Sequence, residues 1–310
     1  MPSSTVVILL ASYNGAAFLP AQLDSIAAQS HRDWRLIVSD DGSSDATRQI
    51  VGDFAARYAA GQVTVIDGPR QGATRNFLHL VEQAPRGPAL AFCDQDDVWY
   101  PEKLARAMAA IAPHDGPAHY AARTIICAED LTELTPSRRF SRPFGFRNAL
   151  IQACMAGNTA VFNPAAAAIL QQGVGAAIAA GIESHDWWAY QLISGAGGLP
   201  IHDPEPVLSY RQHGRSEMGR NDTPRAMAKR LGQLFQGDYG SWLQANHRAL
   251  DQSRHLLTAG NRDLLDRMQD ALHKPGPLAA AMLGRLGLYR HTPAGTAAFY
   301  AAALAGRLRP

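Results

Sequence analysis

Three carboxylates crowd into four positions at Asp94-Gln95-Asp96-Asp97, directly after the apolar run Ala89-Leu90-Ala91-Phe92. Like charges that close repel one another, so the cluster is costly unless something cationic sits among them. A hard divalent ion held by one or two carboxylates, with water and substrate phosphates completing its shell, is the usual resolution. The chemistry expected here is a Mg2+ or Mn2+ site that holds a diphosphate. The plainer reading is a polar loop that opens a helix over residues 101–111.

Two other loops carry compatible chemistry. Ser12-Tyr13-Asn14-Gly15 and Asp40-Asp41-Gly42 each follow an apolar run. A carboxylate there can accept from the N–H of a pyrimidine base while Tyr13 covers the ring, although Asn-Gly and Asp-Gly are also good turn formers. Arg75, just after Gly72, suits a base carbonyl or a phosphate, or solvent. His185-Asp186-Trp187-Trp188 sets an acid beside two indoles. Trp187 and Trp188 suit a sugar platform, and their flanks would lower the polarity around Asp186, as a proton-accepting carboxylate needs. His213, in Tyr210-Arg211-Gln212-His213-Gly214, offers a neutral imidazole to the same metal.

These residues need a scaffold that brings distant loops to one edge. Strands are expected at residues 6–10, 36–38, 63–66 and 89–92. Helices between them show Leu19, Leu23 and Ile26, then Ile50, Phe54 and Tyr58, then Phe77, Leu80 and Val81, and finally Leu104, Met108 and Ile111. Strands alternating with helices predict an α/β fold, a mainly parallel sheet flanked by helices. Ligands of such sheets bind beyond the carboxyl ends of the strands. After about residue 115 the pattern loosens. Strands are expected at 120–127, 154–162 and 207–211, with a polar, Arg-rich stretch at 136–147. Asn163-Pro164 starts a short Ala-rich helix, another opens at residue 183, and everything beyond Arg225 reads as helical.

At 310 residues, 46% apolar and 18% charged, the chain has the composition of a soluble globular protein. Cys93, Cys127 and Cys154 lie far apart without metal-ligand spacing, as expected of buried thiols in a reducing compartment. No signal-peptide core and no apolar run of roughly 20 residues is present. The expected place is the cytoplasm. Charge is unevenly spread: residues 1–210 hold 14 Lys/Arg against 20 Asp/Glu, residues 211–310 hold 15 against 7. Lys274, Arg285, Arg290, Arg307 and Arg309 stand beside Leu278, Met282, Leu283, Leu286, Leu288, Phe299, Tyr300 and Leu304. Such helices can lie on the inner face of an anionic membrane, or pack on the catalytic domain, or form a dimer. The cations lack aromatic interleaving, which argues against a nucleic-acid partner.

Taken together, Ala11-Ser12-Tyr13-Asn14-Gly15, Asp40-Asp41-Gly42-Ser43-Ser44-Asp45, Asp94-Gln95-Asp96-Asp97 and His185-Asp186-Trp187-Trp188 resemble, in order and spacing, family 2 glycosyltransferases of the GT-A fold. The Asp-Gln-Asp-Asp-x-Trp, His-Asp-Trp-Trp and Tyr-Arg-Gln-His-Gly variants resemble the bacterial rhamnosyltransferase-like branch. The resemblance covers residues 5–215. It implies a GT-A catalytic domain over 1–215, with a nucleotide-binding half to 115 and an acceptor-binding half from 116, and a helical extension over 216–310. It also implies metal-dependent, inverting transfer from a nucleotide-sugar, with dTDP-rhamnose the donor, to a glycan or lipid-linked acceptor. By the same resemblance Ala11, Tyr13, Asp41 and Arg75 would hold the base, with Asn14 and Gln95 in the same donor-binding set. Asp94 would reach the ribose, Asp96 and His213 would contact the metal, and Asp186 would be the general base. Arg215-Ser216 departs from the branch, which often has Asn there.

Two rival readings are a haloacid-dehalogenase-type phosphohydrolase, whose Asp-x-Asp also follows an apolar strand, and an inactive nucleotide-sugar binder. The first needs its motif on an early strand, whereas here it follows the fourth.

Overall fold

Apolar runs with polar ends build the strands that carry the candidate loops. In the computed structural model, which describes residues 5–214 and 238–309, Val6–Ser12 (β1), Trp34–Asp40 (β2), Val63–Asp67 (β3) and Ala89–Cys93 (β4) run parallel in the order β3-β2-β1-β4. Ser12 registers with Asp40, and Leu10 with Cys93. The segments after β1, β2 and β4 therefore leave the sheet side by side at one edge. β1 and β4 are buried along their whole length, as strands covered on both faces must be. The covering helices are Leu19–Ala27 (α1), Thr47–Ala55 (α2), Ala73–Gln83 (α3) and Lys103–Ile111 (α4). They bury the expected Leu19, Leu23, Ile26, Phe54, Phe77, Leu80, Val81, Leu104 and Ile111. Tyr58 falls past the end of α2 and packs edge-on against Trp34 at 5.3 Å.

The second half turns the sheet mixed. Val98–Trp99 (β5), Ala118–Cys127 (β6), Glu133–Pro136 (β7), Val161–Phe162 (β8) and Leu199–Arg211 (β9) extend it in the order β4-β8-β6-β9-β5, with β7 on β6. β8 is antiparallel to both β4 and β6, whereas β9 is parallel to β6.

Two sequence expectations need correcting here. The strand expected over 154–162 shrinks to β8, because Gly157–Thr159 closes into a 3-10 turn. The short Ala-rich helix is the 17-residue Pro164–Ala180 (α6, after Phe146–Ala149, α5). Asn163 Oδ1 accepts the Ala166 N–H at 2.9 Å, Pro164 fits the first turn, and Gly181 ends the helix at φ 64°. His185–Gly195 (α7) follows, N-capped by Ser184.

The tail contains Asp238–Gln252 (α8), Ala259–Leu272 (α9), Gly276–Arg285 (α10) and Pro293–Leu304 (α11). One apolar cluster joins Val7 and Leu9 of β1, Phe77 of α3 and Leu170 of α6 to Leu250, Leu265, Leu283 and Phe299. Leu283, Leu286, Leu288 and Phe299, which could have formed a membrane-facing row, are instead buried in this cluster. Among the described residues, no helix is long and apolar enough to cross a membrane. The boundary at 215/216 and the Arg215-Ser216 pair lie outside the described residues.

Candidate active site

Gln95 clamps the first loop to the acidic one. Its Oε1 accepts the Tyr13 N–H at 3.0 Å and its Nε2 donates to the Tyr13 carbonyl, also at 3.0 Å. Gly15 leaves room for this clamp, since a Cβ there would lie 2.1 Å from Gln95 Oε1. The Tyr13 side chain itself is 57% exposed. Asn14, at φ 46°, donates its N–H to Ser43 Oγ at 2.9 Å and accepts the Ser44 N–H at 2.8 Å. It ties the β1 loop to the β2 loop. Ala11 is buried, so only its backbone is available to a ligand.

Asp41 shapes the next wall. Its two oxygens accept the Arg70 N–H at 2.6 Å and the Gly72 N–H at 2.8 Å, which draws the start of α3 against the end of β2. Arg75, on the first turn of α3, donates Nε to Gln71 Oε1 at 3.1 Å, while its Nη1 is buried with no hydrogen-bond partner. A buried guanidinium nitrogen left unpaired is costly, and a carbonyl or phosphate oxygen would relieve it. Thr74 Oγ1 donates to the Glu183 carbonyl at 2.8 Å, joining α3 to the approach of α7.

In the acidic loop, Asp94, Gln95 and Asp96 are half-buried and Asp97 is fully buried. Asp96 Oδ2 lies 2.7 Å from His213 Nε2, whose ring packs on Phe18 at 4.5 Å. Asp97 accepts Asn158 Nδ2 at 2.7 Å and the Arg211 N–H at 3.3 Å. Burial and the neighbouring Asp96 push its carboxyl up to about 8. The cations that such a cluster requires are partly built in. Lys103 is fully buried with its Nζ 3.5 Å above the Trp99 ring, and burial pulls it down to about 7. Arg211 donates Nε to the Asp96 carbonyl at 2.8 Å. The sequence marks Asp97 as one of the three crowded carboxylates but points to no role for Lys103 or Arg211. The spacing of Lys103 with Ala107 and Ile111, on the inward face of α4, was the available signal.

Asp186 sits in the first turn of α7. The Ser184 hydroxyl donates to its Oδ1, as does the Trp187 N–H at 2.6 Å, and the Gly157 N–H donates to Oδ2 at 3.1 Å. Its neighbour His185 stacks on Phe77 at 4.0 Å, and burial pulls that imidazole down to about 4. The 3-10 turn is therefore a bridge: Gly157 holds Asp186 while the next residue, Asn158, holds Asp97. Loops from β1, β2 and β4, the start of α3 and the start of α7 are linked by these hydrogen bonds and the short stretches of chain between them. Tyr13, Asn14, Asp41, Gln95, Asp96, Asp186 and His213 each bond within it, Asp94 lies next to Gln95 in the same loop, and Arg75 bonds Gln71 at its edge.

Trp187 and Trp188 do not present a platform. Trp187 is 4% exposed, donates Nε1 to the Ala149 carbonyl at 2.6 Å and stacks on Tyr239 at 5.9 Å. Trp188 is 0% exposed. Every residue of α7 from Trp187 to Gly195 is buried, so both indoles serve the core and no ring face is open to a sugar.

Asp96 and His213 are the side chains suited to a metal. Among the described residues no three metal-ligating side chains cluster, and both Asp97 oxygens already accept from protein donors. One carboxylate, with water and phosphate oxygens completing the shell, matches the habit of Mg2+ and similar hard ions, so Asp96 fits such an ion. The His213 nitrogen is a softer donor, and its Nε2 would exchange its 2.7 Å contact with Asp96 for the metal.

Similarity to known proteins agrees with this geometry. The family model described as glycosyl transferase family 2 matches residues 7–175. The chain is 25% identical over 229 residues to a dTDP-rhamnosyl transferase, RfbG, of Shigella flexneri, covering 72% of this chain and 78% of that protein. It is 32% identical over 104 residues to an Escherichia coli UDP-Glc:alpha-D-GlcNAc-diphosphoundecaprenol beta-1,3-glucosyltransferase, covering 34% of this chain and 40% of that one. In fold it is similar to residues 1–349 of S. aureus TarS in complex with UDP-GlcNAc, with TM-score 0.54 and 15% identity over 99% of this chain and 90% of that one. It is also similar to a Pyrobaculum calidifontis mannosyltransferase in complex with GDP-Man and Mn2+, with TM-score 0.52 and 18% identity over 99% and 86%. The phosphohydrolase reading loses its ground: the chain is a glycosyltransferase, belongs to glycosyl transferase family 2 and has the GT-A fold.

Proposed function

We propose that the chain transfers rhamnose from dTDP-rhamnose to a hydroxyl of a glycan or lipid-linked acceptor, with inversion and with Mg2+ or Mn2+ bound. The observation that carries this reading is the Gly157-Asn158 turn, which ties Asp186 and the acidic loop together. The choice of sugar rests on the similarity to the dTDP-rhamnosyl transferase.

In this reading the Ala11 backbone, Tyr13, Asp41 and Arg75 bind the base, Asp94 reaches the ribose, and Asn14 and Gln95 belong to the same donor-binding set, holding its loops together. Asp96 and His213 would hold the metal, which when bound neutralises the leaving diphosphate. Asp186 takes the proton from the acceptor hydroxyl as its oxygen attacks the anomeric carbon on the face away from the diphosphate. A new C–O bond forms, the bond to the phosphate oxygen breaks, and the proton stays on Asp186. The Gly157 and Trp187 N–H groups fix the carboxylate for that step. An oxocarbenium-like transition state is expected, as in inverting glycosidases.

Asp186→Asn tests the assignment. Losing a general base should lower kcat by about 10²- to 10⁴-fold, while the thermal shift given by the nucleotide-sugar with Mn2+ stays that of the parent chain. Equal turnover removes Asp186 from the role. A panel of nucleotide-sugars scored by thermal shift, with and without Mn2+, tests the donor.

A further inference from the structure

We propose that one end of the α10–α11 helix pair is a surface that seats on anionic phospholipid. Five large apolar side chains are well exposed among the described residues, and two of them, Leu278 (50%) and Leu304 (56%), fall at this one end. A glycine brings together the backbones that carry them. A Cβ on Gly276 would lie 2.0 Å from the Leu304 carbonyl oxygen, so α10 begins directly against the last turn of α11.

Cations surround the pair. Lys274 precedes α10, and Arg307 and Arg309 follow α11, both exposed. Arg309 Nη2 reaches back to the His273 carbonyl at 3.4 Å, which closes the group on its far side. Among the described residues, Asp270 pairs with Lys274 at 2.7 Å, and Asp238 opens α8 two residues before Gly240, which packs on the Arg307 and Arg309 carbonyls. The sequence from 271 to 310 contains no acid. Exposed leucines among cations complement a bilayer surface that is anionic at the headgroups and apolar just below. The other leucines of the tail are buried in the core, so the contact is a tip that dips into the interface rather than a helix lying flat on it. No donor-site residue belongs to this tip, so the inference stands apart from the sugar and nucleotide assigned above.

The test is co-sedimentation of the full chain with phosphatidylglycerol-containing vesicles and with phosphatidylcholine vesicles, at rising salt. Binding is expected on the anionic vesicles alone and is expected to be largely released at about 0.5 M salt, where screening is strong. With each nearby cation worth about fivefold in partitioning, Arg307→Glu with Arg309→Glu should weaken binding at least tenfold. Leu278→Ser with Leu304→Ser should also weaken it about tenfold or more. All four positions are exposed, so unchanged melting temperatures are expected to show that the variants remain folded. The proposal is overturned if the parent chain stays in the supernatant, or if both double variants bind as it does. It is equally overturned if the chain sediments as a dimer that the leucine variant splits, since the tip would then belong to a second copy.

Discussion

Gly157 donates its backbone N–H to Asp186 Oδ2 at 3.1 Å, and a Cβ on the same glycine would lie 2.9 Å from His185 Nε2 and 3.1 Å from the Asp186 Cβ. Neither neighbour is the loose end of a flexible chain, because His185 is held by its stack on Phe77. Gly157→Ala should therefore push the Asp186 carboxylate off its donor. A displacement of about 1 Å can cost about 10²-fold in rate. Steady-state kinetics should show a kcat loss of that order with donor KM little changed. A variant as active as the parent would mean that Gly157 does not set the base.

Asp96→Asn removes one of the two side chains suited to the metal and also the partner of His213. The Mn2+-dependent part of the donor-induced thermal shift should shrink, matching a loss in metal affinity of about tenfold or more. His213→Ala should act in the same direction. If both variants keep the full Mn2+ dependence by calorimetry, the ion sits elsewhere.

Trp187→Phe separates a core role from a sugar-binding one. The substitution deletes the 2.6 Å bond to the Ala149 carbonyl, which keeps the Gln191 Nε2 donor at 3.2 Å, a loss of about 0.5–1.5 kcal/mol. Urea unfolding should register this, while KM for donor and acceptor stays near that of the parent. A rise in KM without a change in stability would restore the platform that burial argues against.

Stability should fall in mild acid. Burial pulls the imidazoles of His185, His202 and His291 down to about 4, and that of His119 to about 3. Each is neutral in the fold and takes up a proton on unfolding once the pH is below the ordinary value near 6.5. Their contribution is complete above pH 6.5 and is lost as pH falls toward 4, by about 1.4 kcal/mol per pH unit for each proton taken up. Asp97 works the other way. Raised to about 8, it is protonated in the fold and ionised when unfolded across this window, so it offsets about one histidine. Urea midpoints should drop steeply between pH 6.5 and 4.5, and a flat profile would contradict the buried neutral imidazoles.

The first half of the fold was legible because its helices and strands each follow one period: Leu19, Leu23 and Ile26 read as a helix face and lie inward, and residues 6–10 read as a strand and lie inside the parallel part of the sheet. The loops at Tyr13, Asp41 and Asp96 were legible as well, since parallel strands must leave their ends on one edge. The second half was harder. Residues 154–162 look extended by composition, but the hydrogen bonds of Gly157 and Asn158 run to Asp186 and Asp97 instead of along a ladder. The sequence offers no local sign of partners 29 and 61 positions away. Trp187 and Trp188 were misread for a related reason. Side by side they resemble an open aromatic face, yet α7 is enclosed by elements from across the chain, including Tyr239.

The cluster that runs from Val7 and Leu9 through Leu170 to Leu283 and Phe299 makes the tail part of the core, packed against α6 and α7. A shortened chain ending near residue 225 would bare Leu170 and Val174 to water, together with the inner side of α7. Such a fragment would precipitate before any loss of lipid or donor binding could be assigned to the missing helices. Single substitutions at the surface are therefore the informative way to dissect this enzyme.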